Sequence, residues 1–151
     1  MNYDLEKILP HKRPMILIDD IIEYLPDENK IKTVVTIKEK ALFYDKKIKG
    51  VSSVTGIEYM AQTVGCYAFL KDNLSEPKIG FLLGSRLYKS KIDKFSLDET
   101  YIIEANEIFS GNDIVSFDCL IYNQQKEEIA NATLNVYQAK GNKEAGFNTE
   151  V

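Results

Sequence analysis

A single histidine, His11, serves the whole 151-residue chain. That scarcity excludes most zinc sites, whose ligand sets draw on several His and Cys side chains. It also makes any histidine-dependent mechanism rest on one position. Cysteine is nearly as scarce. Cys66 and Cys119 lie far apart, fit no metal-ligand spacing and sit among apolar residues. Buried thiols packed as small hydrophobes are expected there, rather than ligands, nucleophiles or a disulfide. Surplus positive charge is missing as well: 19 Lys and Arg against 23 Asp and Glu leave a net charge of −4. Neutralising phosphates needs clustered basic residues, so a general nucleic-acid binder is not expected. No apolar run approaches the roughly 20 residues of a membrane span. The opening Met1-Asn2-Tyr3-Asp4-Leu5-Glu6 has neither the basic start nor the apolar run of a signal peptide. A soluble cytoplasmic protein with no membrane partner is the expectation.

Several motifs are also absent. There is no P-loop or dinucleotide fingerprint, and Gly80 and Gly84 are simply four apart in an apolar segment. Gly50-Val51-Ser52-Ser53-Val54 lacks the final glycine of a nucleophile elbow and the strand that must precede one.

What is present is enough for one core. A domain of about 150 residues buries roughly 70% of the surface its unfolded chain exposes. A single domain over residues 1–139, followed by a flexible polar tail at 140–151, is expected. Asp4 is placed to cap a brief helix over residues 4–9. Pro10 and Pro14 bracket His11 in a non-helical connection. Residues 15–24 are strand-like, Pro26-Asp27-Glu28-Asn29 is turn chemistry, and residues 30–38 alternate as the second arm of a hairpin. After an irregular polar stretch, residues 54–72 form one long helix, with Ser52 or Ser53 as its cap. It is apolar over most of its circumference, so it should be buried on several sides. Strands follow at 79–88, 101–108, 114–122 and 129–137, with Ser110-Gly111-Asn112-Asp113 as one turn. The reading is α+β: an antiparallel sheet wrapped around one long central helix.

The buried helix holds an anomaly. Glu58 sits in its first turns among Val54, Ile57, Met60, Ala61 and Val64, with Gln62 four residues on and able to touch it. A carboxyl in apolar surroundings suits a general acid; the alternative is a solvent-facing residue that complements the helix dipole. His11 is the second candidate, because imidazole exchanges protons near neutrality and a proline-flanked loop holds it firmly. The alternative is a histidine that hydrogen-bonds the loop to the sheet. Arg86 is an unusual cation in an apolar strand, suited to a carboxylate partner or subunit contact, or to lining a ligand channel. Two lysine groups, Lys46-Lys47-Lys49 and Lys89-Lys91-Lys94, are either ordinary solvated faces or a docking rim for an acidic partner.

Taken together, these residues resemble a known family. Leu9-Pro10-His11-Lys12-Arg13-Pro14-Met15-Ile16-Leu17-Ile18-Asp19 is similar to the opening of bacterial β-hydroxyacyl-acyl-carrier-protein dehydratases of the hotdog fold. Glu58-Tyr59-Met60-Ala61-Gln62 resembles the Glu-x-Met-Ala-Gln of their central helix. Phe81-Leu82-Leu83-Gly84-Ser85-Arg86-Leu87-Tyr88, Phe117-Asp118-Cys119 and Leu134-Asn135-Val136-Tyr137-Gln138 are closer to the branch found with aryl-polyene biosynthesis. The likeness implies a hotdog dimer, homomeric or with a different hotdog subunit. It also implies a 3-hydroxyacyl thioester carried on the phosphopantetheine of acyl carrier protein or on coenzyme A, dehydration to a trans-2-enoyl thioester, and no cofactor or metal. On that basis His11 and Glu58 are the expected catalytic residues, and Ser53, Gln62 and Arg86 the expected substrate-binding residues. Backbone N–H groups near Ser53 would polarise the thioester carbonyl. The best-known members carry their base as a histidine in a loop ahead of the helix, but Phe43-Tyr44-Asp45-Lys46-Lys47-Ile48-Lys49-Gly50 contains none. Either His11 has taken over as base, or another hotdog subunit supplies one, or the chain is a related thioesterase or acyl-binding subunit.

Overall fold

The computed structural model describes residues 3–73 and 80–138. The tail expected at 140–151 lies outside the described residues. Helix α1, Leu5–Ile8, is capped by the Asp4 carboxylate, which accepts from Glu6 N at 3.1 Å. Strands β1, Asp20–Leu25, and β2, Lys30–Thr36, form the expected hairpin around a 3-10 turn at Pro26–Glu28. Then come β3, Tyr44–Asp45, and β4, Gly50–Ser52, a 3-10 turn at Ser53–Thr55, and helix α2, Gly56–Lys71. The chain closes with β5, Gly80–Ser90, β6, Lys94–Ser96, β7, Thr100–Gly111, β8, Ile114–Tyr122, and β9, Glu128–Gln138.

Six strands make one antiparallel sheet in the order β1-β2-β7-β8-β9-β5. It packs around α2 in the hotdog arrangement. Three short strands form a second sheet, β3-β4-β6, beside the N-terminal end of that helix. The sequence reading placed no strand in either half of this second sheet. Pieces of two or three residues show no period, so hydrophobic alternation cannot reveal them. It also started β1 too early. Residues 15–19 are extended, but apart from Asp19, whose N donates to Val34 O at 2.8 Å, they precede the strand pairing.

Alternation along β2 buries Ile31, Thr33 and Val35, and along β8 it buries Phe117, Cys119 and Ile121. These meet Tyr59, Met60, Val64, Cys66 and Tyr67 from α2 in one core. Both cysteines are free and buried, as expected, and burial pushes the Cys66 thiol up to about 12. Phe95 brings the small sheet into this core, edge-on to Tyr59 at 5.2 Å and to Tyr101 at 5.0 Å. Its ring is fully buried. A Phe95→Ala substitution is expected to lower unfolding free energy by about 3–5 kcal/mol in urea titration. A loss below about 1 kcal/mol would show that the small sheet does not depend on this anchor.

Polar bonds cross the core at two levels. Thr33 Oγ1 on β2 and Thr63 Oγ1 on α2 are 2.7 Å apart, and Thr63 Oγ1 donates to Tyr59 O at 2.8 Å. Further along α2, the Tyr67 hydroxyl donates to Glu107 Oε1 at 2.9 Å, and Lys71 Nζ reaches the same oxygen at 2.6 Å. At the start of α2 the packing is tight enough to require glycine. A Cβ on Gly56 would collide with the Tyr88 hydroxyl, which donates to Ser53 O.

Candidate active site

The first turns of α2 and the connection between α1 and β1 build the site together. Pro10 ends α1, and the chain then turns at Lys12–Met15, with Met15 N donating to Lys12 O at 2.7 Å across a cis Arg13-Pro14 bond. This turn throws His11 over the N-terminal part of α2. Behind it, Leu9 seats against Gly65, where an added Cβ would meet Leu9 Cδ2 at 3.0 Å.

His11 Nε2 lies 3.4 Å from Glu58 Oε2. The two residues are 47 positions apart in sequence and no spacing rule could join them; the fold does. Neither is deeply buried: the side chains are 30% and 39% exposed. The expectation of a Glu58 carboxyl enclosed by apolar groups therefore needs correction. Its apolar neighbours on α2 face the sheet, while Glu58 lies on the open side under the His11 loop. The other imidazole nitrogen, Nδ1, is buried and has no hydrogen-bond partner among the described residues.

Gln62 completes the arrangement. Its Nε2 donates to Glu58 Oε2 at 3.3 Å and to Met15 O at 2.8 Å, and its Oε1 accepts from Leu17 N at 2.9 Å. The side chain is fully buried and both N–H bonds are used. This overturns its assignment as a substrate-binding residue. Gln62 holds protein groups, fastening the His11-bearing segment to the helix and fixing one carboxylate oxygen. In the segment that reads as strand in the sequence, this one amide serves Met15 O and Leu17 N.

Ser53 is also corrected. Its N–H donates to Asp93 O at 3.0 Å, and its carbonyl accepts from Tyr88. The adjacent Val54 N–H goes to Ser52 Oγ at 3.4 Å. These groups are committed within the protein and are not free to polarise a carbonyl. Arg86 lies on β5 opposite Thr133; its side chain lies outside the described residues.

A cavity of about 370 Å³ opens between the segment after His11 and the start of α2, with Leu17, Val35, Leu42, Phe43, Thr55 and Tyr59 among its walls; neither His11 nor Glu58 lines it. Arg13, Lys38, Lys40 and Asp19 also line it. Burial raises the Asp19 carboxyl, against the lowering effect of the hydrogen bond from Thr36 N and the charges of Arg13 and Lys38. Met15, Leu42, Phe43 and Val54 leave apolar surface exposed around this end of the molecule. Among the described residues no group of three His, Cys, Asp or Glu side chains could hold a metal, and no helix is long and apolar enough to cross a membrane.

Comparison with known proteins places these features in context. A family profile described as ApeP-like, ApeP dehydratase, matches residues 3–147. A 3-hydroxyacyl-[acyl-carrier-protein] dehydratase FabZ of Syntrophomonas wolfei is 36% identical over 84 residues, covering 54% of this chain and 57% of that protein. The bifunctional enzyme LpxC/FabZ of Chlorobaculum tepidum is 32% identical over 123 residues, 78% of this chain but 26% of that protein. The chain thus spans little more than half of the first relative and about a quarter of the second. Among solved structures, the dehydratase heterocomplex ApeI:P from Xenorhabdus doucetiae superposes with a TM-score of 0.83 at 22% identity, over 97% of this chain and 98% of that one. The E. coli PaaI protein gives 0.62 at 13% identity, over 81% and 80%. The structural likenesses establish the hotdog fold.

Proposed function

Because the chain belongs to the ApeP-like dehydratase family, we propose that it dehydrates a 3-hydroxyacyl thioester carried on the phosphopantetheine arm of acyl carrier protein. The observation that carries this reading is the His11–Glu58 pair at 3.4 Å, held by Gln62 at an open end of the helix. Dehydration needs one group to take the α-proton from C2 and one to protonate the hydroxyl leaving C3. The C2–H electron pair becomes the C2=C3 double bond, and water departs. Of the two imidazole nitrogens only Nε2 faces the site, because Nδ1 is enclosed. With its proton on Nδ1, His11 presents the Nε2 lone pair as the base. Glu58 in its acid form then protonates the hydroxyl, and the cavity walled by Leu17, Val35 and Tyr59 accommodates the apolar acyl chain.

A second reading keeps Glu58 and takes the base from another hotdog subunit. It is favoured by the unpartnered Nδ1, since nothing fixes the tautomer that a histidine base requires. The exposed Met15, Leu42, Phe43 and Val54 also leave an apolar margin for a different hotdog subunit to cover. The thioesterase alternative shares the fold, whereas the family profile over residues 3–147 is that of a dehydratase.

One assay separates the three. The purified chain is given 3-hydroxyacyl and enoyl thioesters, and enoyl absorbance is followed beside free thiol release. Interconversion without thiol release is expected; thiol release alone would remove the dehydratase reading. A His11→Ala variant is expected to lose roughly 100-fold or more in turnover. Undiminished turnover would remove His11 as the base, whereas a purified chain that turns over only after a second hotdog subunit is added would place the base on that subunit.

A further inference from the structure

One lysine group and one member of the other, far apart in sequence, meet on the small sheet. Lys46, Lys47 and Lys49 are exposed in the turn joining β3 to β4. Lys94 opens β6 opposite Ser52 of β4, and its Nζ donates to the Ile48 carbonyl, 2.5 Å away in the middle of that turn. Its ammonium therefore sits within the run of three exposed lysines. Backbone bonds hold the group in place: Gly50 pairs with Ser96, and Leu97 N donates to Lys49 O at 3.1 Å.

Countercharge is thin here. Among the described residues none of these four lysines forms an ion pair, whereas Arg13, Lys30, Lys32, Lys38 and Lys71 are all paired. The turn itself, residues 46–49, holds no carboxylate; Asp45 at the end of β3 accepts from Lys47 N at 2.8 Å, and Asp93 precedes Lys94. On a chain of net charge −4 this is a local reversal of sign. Neighbouring cations on one turn repel one another, and an anionic partner that relieves this repulsion is favoured.

The patch also has a direction. Ser52, paired with Lys94, caps the 3-10 turn that leads into α2. Val54 follows, 69% exposed, one helical turn before Glu58. Lysines, exposed valine and carboxylate thus run in order along the entrance end of the helix.

Resting on the dehydratase reading, we infer that Lys46, Lys47, Lys49 and Lys94 form the docking surface for the acidic face of the thioester's carrier protein. The carrier's arm then crosses Val54 to reach Glu58. The surface supplies orientation and encounter rate, while the chemistry stays with the pair below it.

The test uses the full chain and a Lys46→Glu/Lys47→Glu/Lys49→Glu variant, leaving Lys94 to hold the turn. Binding of a fluorescently labelled acidic acyl carrier protein is measured by anisotropy at low and high salt. Turnover is compared for a 3-hydroxyacyl group on the carrier and on N-acetylcysteamine. The variant should weaken carrier binding about tenfold or more and flatten its salt dependence. Small-thioester turnover should stay unchanged, and Lys47→Glu alone should give a smaller effect in the same direction. Unchanged carrier affinity, or an equal loss on both substrates, would overturn the docking surface. Salt-sensitive binding lost in the variant, with no dehydration by the unaltered chain, would uphold the surface and remove the reading in which this chain dehydrates alone.

Discussion

A Glu58→Gln substitution is expected to reduce dehydration of a 3-hydroxyacyl thioester by about 100- to 10,000-fold, with the melting temperature nearly unchanged. The amide has the shape of the carboxyl and can still accept from Gln62 Nε2, which lies 3.3 Å from Oε2 in the native protein. What it cannot do is release a proton to the leaving hydroxyl. Since the side chain is 39% exposed, no buried cluster collapses when its charge is lost. The loss should fall on kcat, because the group acts on charge that develops as the C3–O bond breaks. A variant retaining more than a tenth of native kcat would show that Glu58 is not the acid.

Gln62 should produce a different signature. Gln62→Leu leaves Leu17 N–H and Met15 C=O without their partners, at about 1–3 kcal/mol for each buried group left unsatisfied. Stability and turnover should fall together, because the segment holding His11 is no longer fastened to the helix. Gln62→Glu is the sharper probe. It puts a second carboxyl beside Glu58, and like charges at that range favour the protonated form. The limb of the pH–rate profile belonging to Glu58 should then move to higher pH. A profile that keeps its position while only the melting temperature drops would reduce Gln62 to a purely structural role.

Much of this molecule was legible before its structure. Residues 54–72 read as a helix buried on several sides because no charged face interrupts them, and α2 spans Gly56–Lys71 inside the sheet. The alternation in 30–38 and 114–122 gave β2 and β8 with the correct inward faces. Glu58 and Gln62 were paired by their helical spacing, and they touch. Three features escaped for physical reasons. The β3-β4-β6 sheet depends on pairing between distant short pieces, which no local period records. Gln62 was read as facing a ligand because its own pattern cannot show that Met15 and Leu17 arrive to use both ends of the amide. The donors near Ser53 looked free by the general rule for helix starts, but a 3-10 turn and Asp93 had already engaged them.

The hydroxyl pair between Thr33 and Thr63 has a consequence for aim. A helix that is apolar nearly all round has no hydrophobic reason to prefer one rotation about its own axis, since turning it exchanges one greasy side for another. The polar links at Thr63 and Tyr67 are directional, and each is satisfied at one angle only. They act as two pins along the shaft of α2, setting its rotation together with the close packing at Gly56 and Gly65. The heading of Glu58 toward His11, rather than into the core, is decided at residues one and two turns away that never meet the substrate.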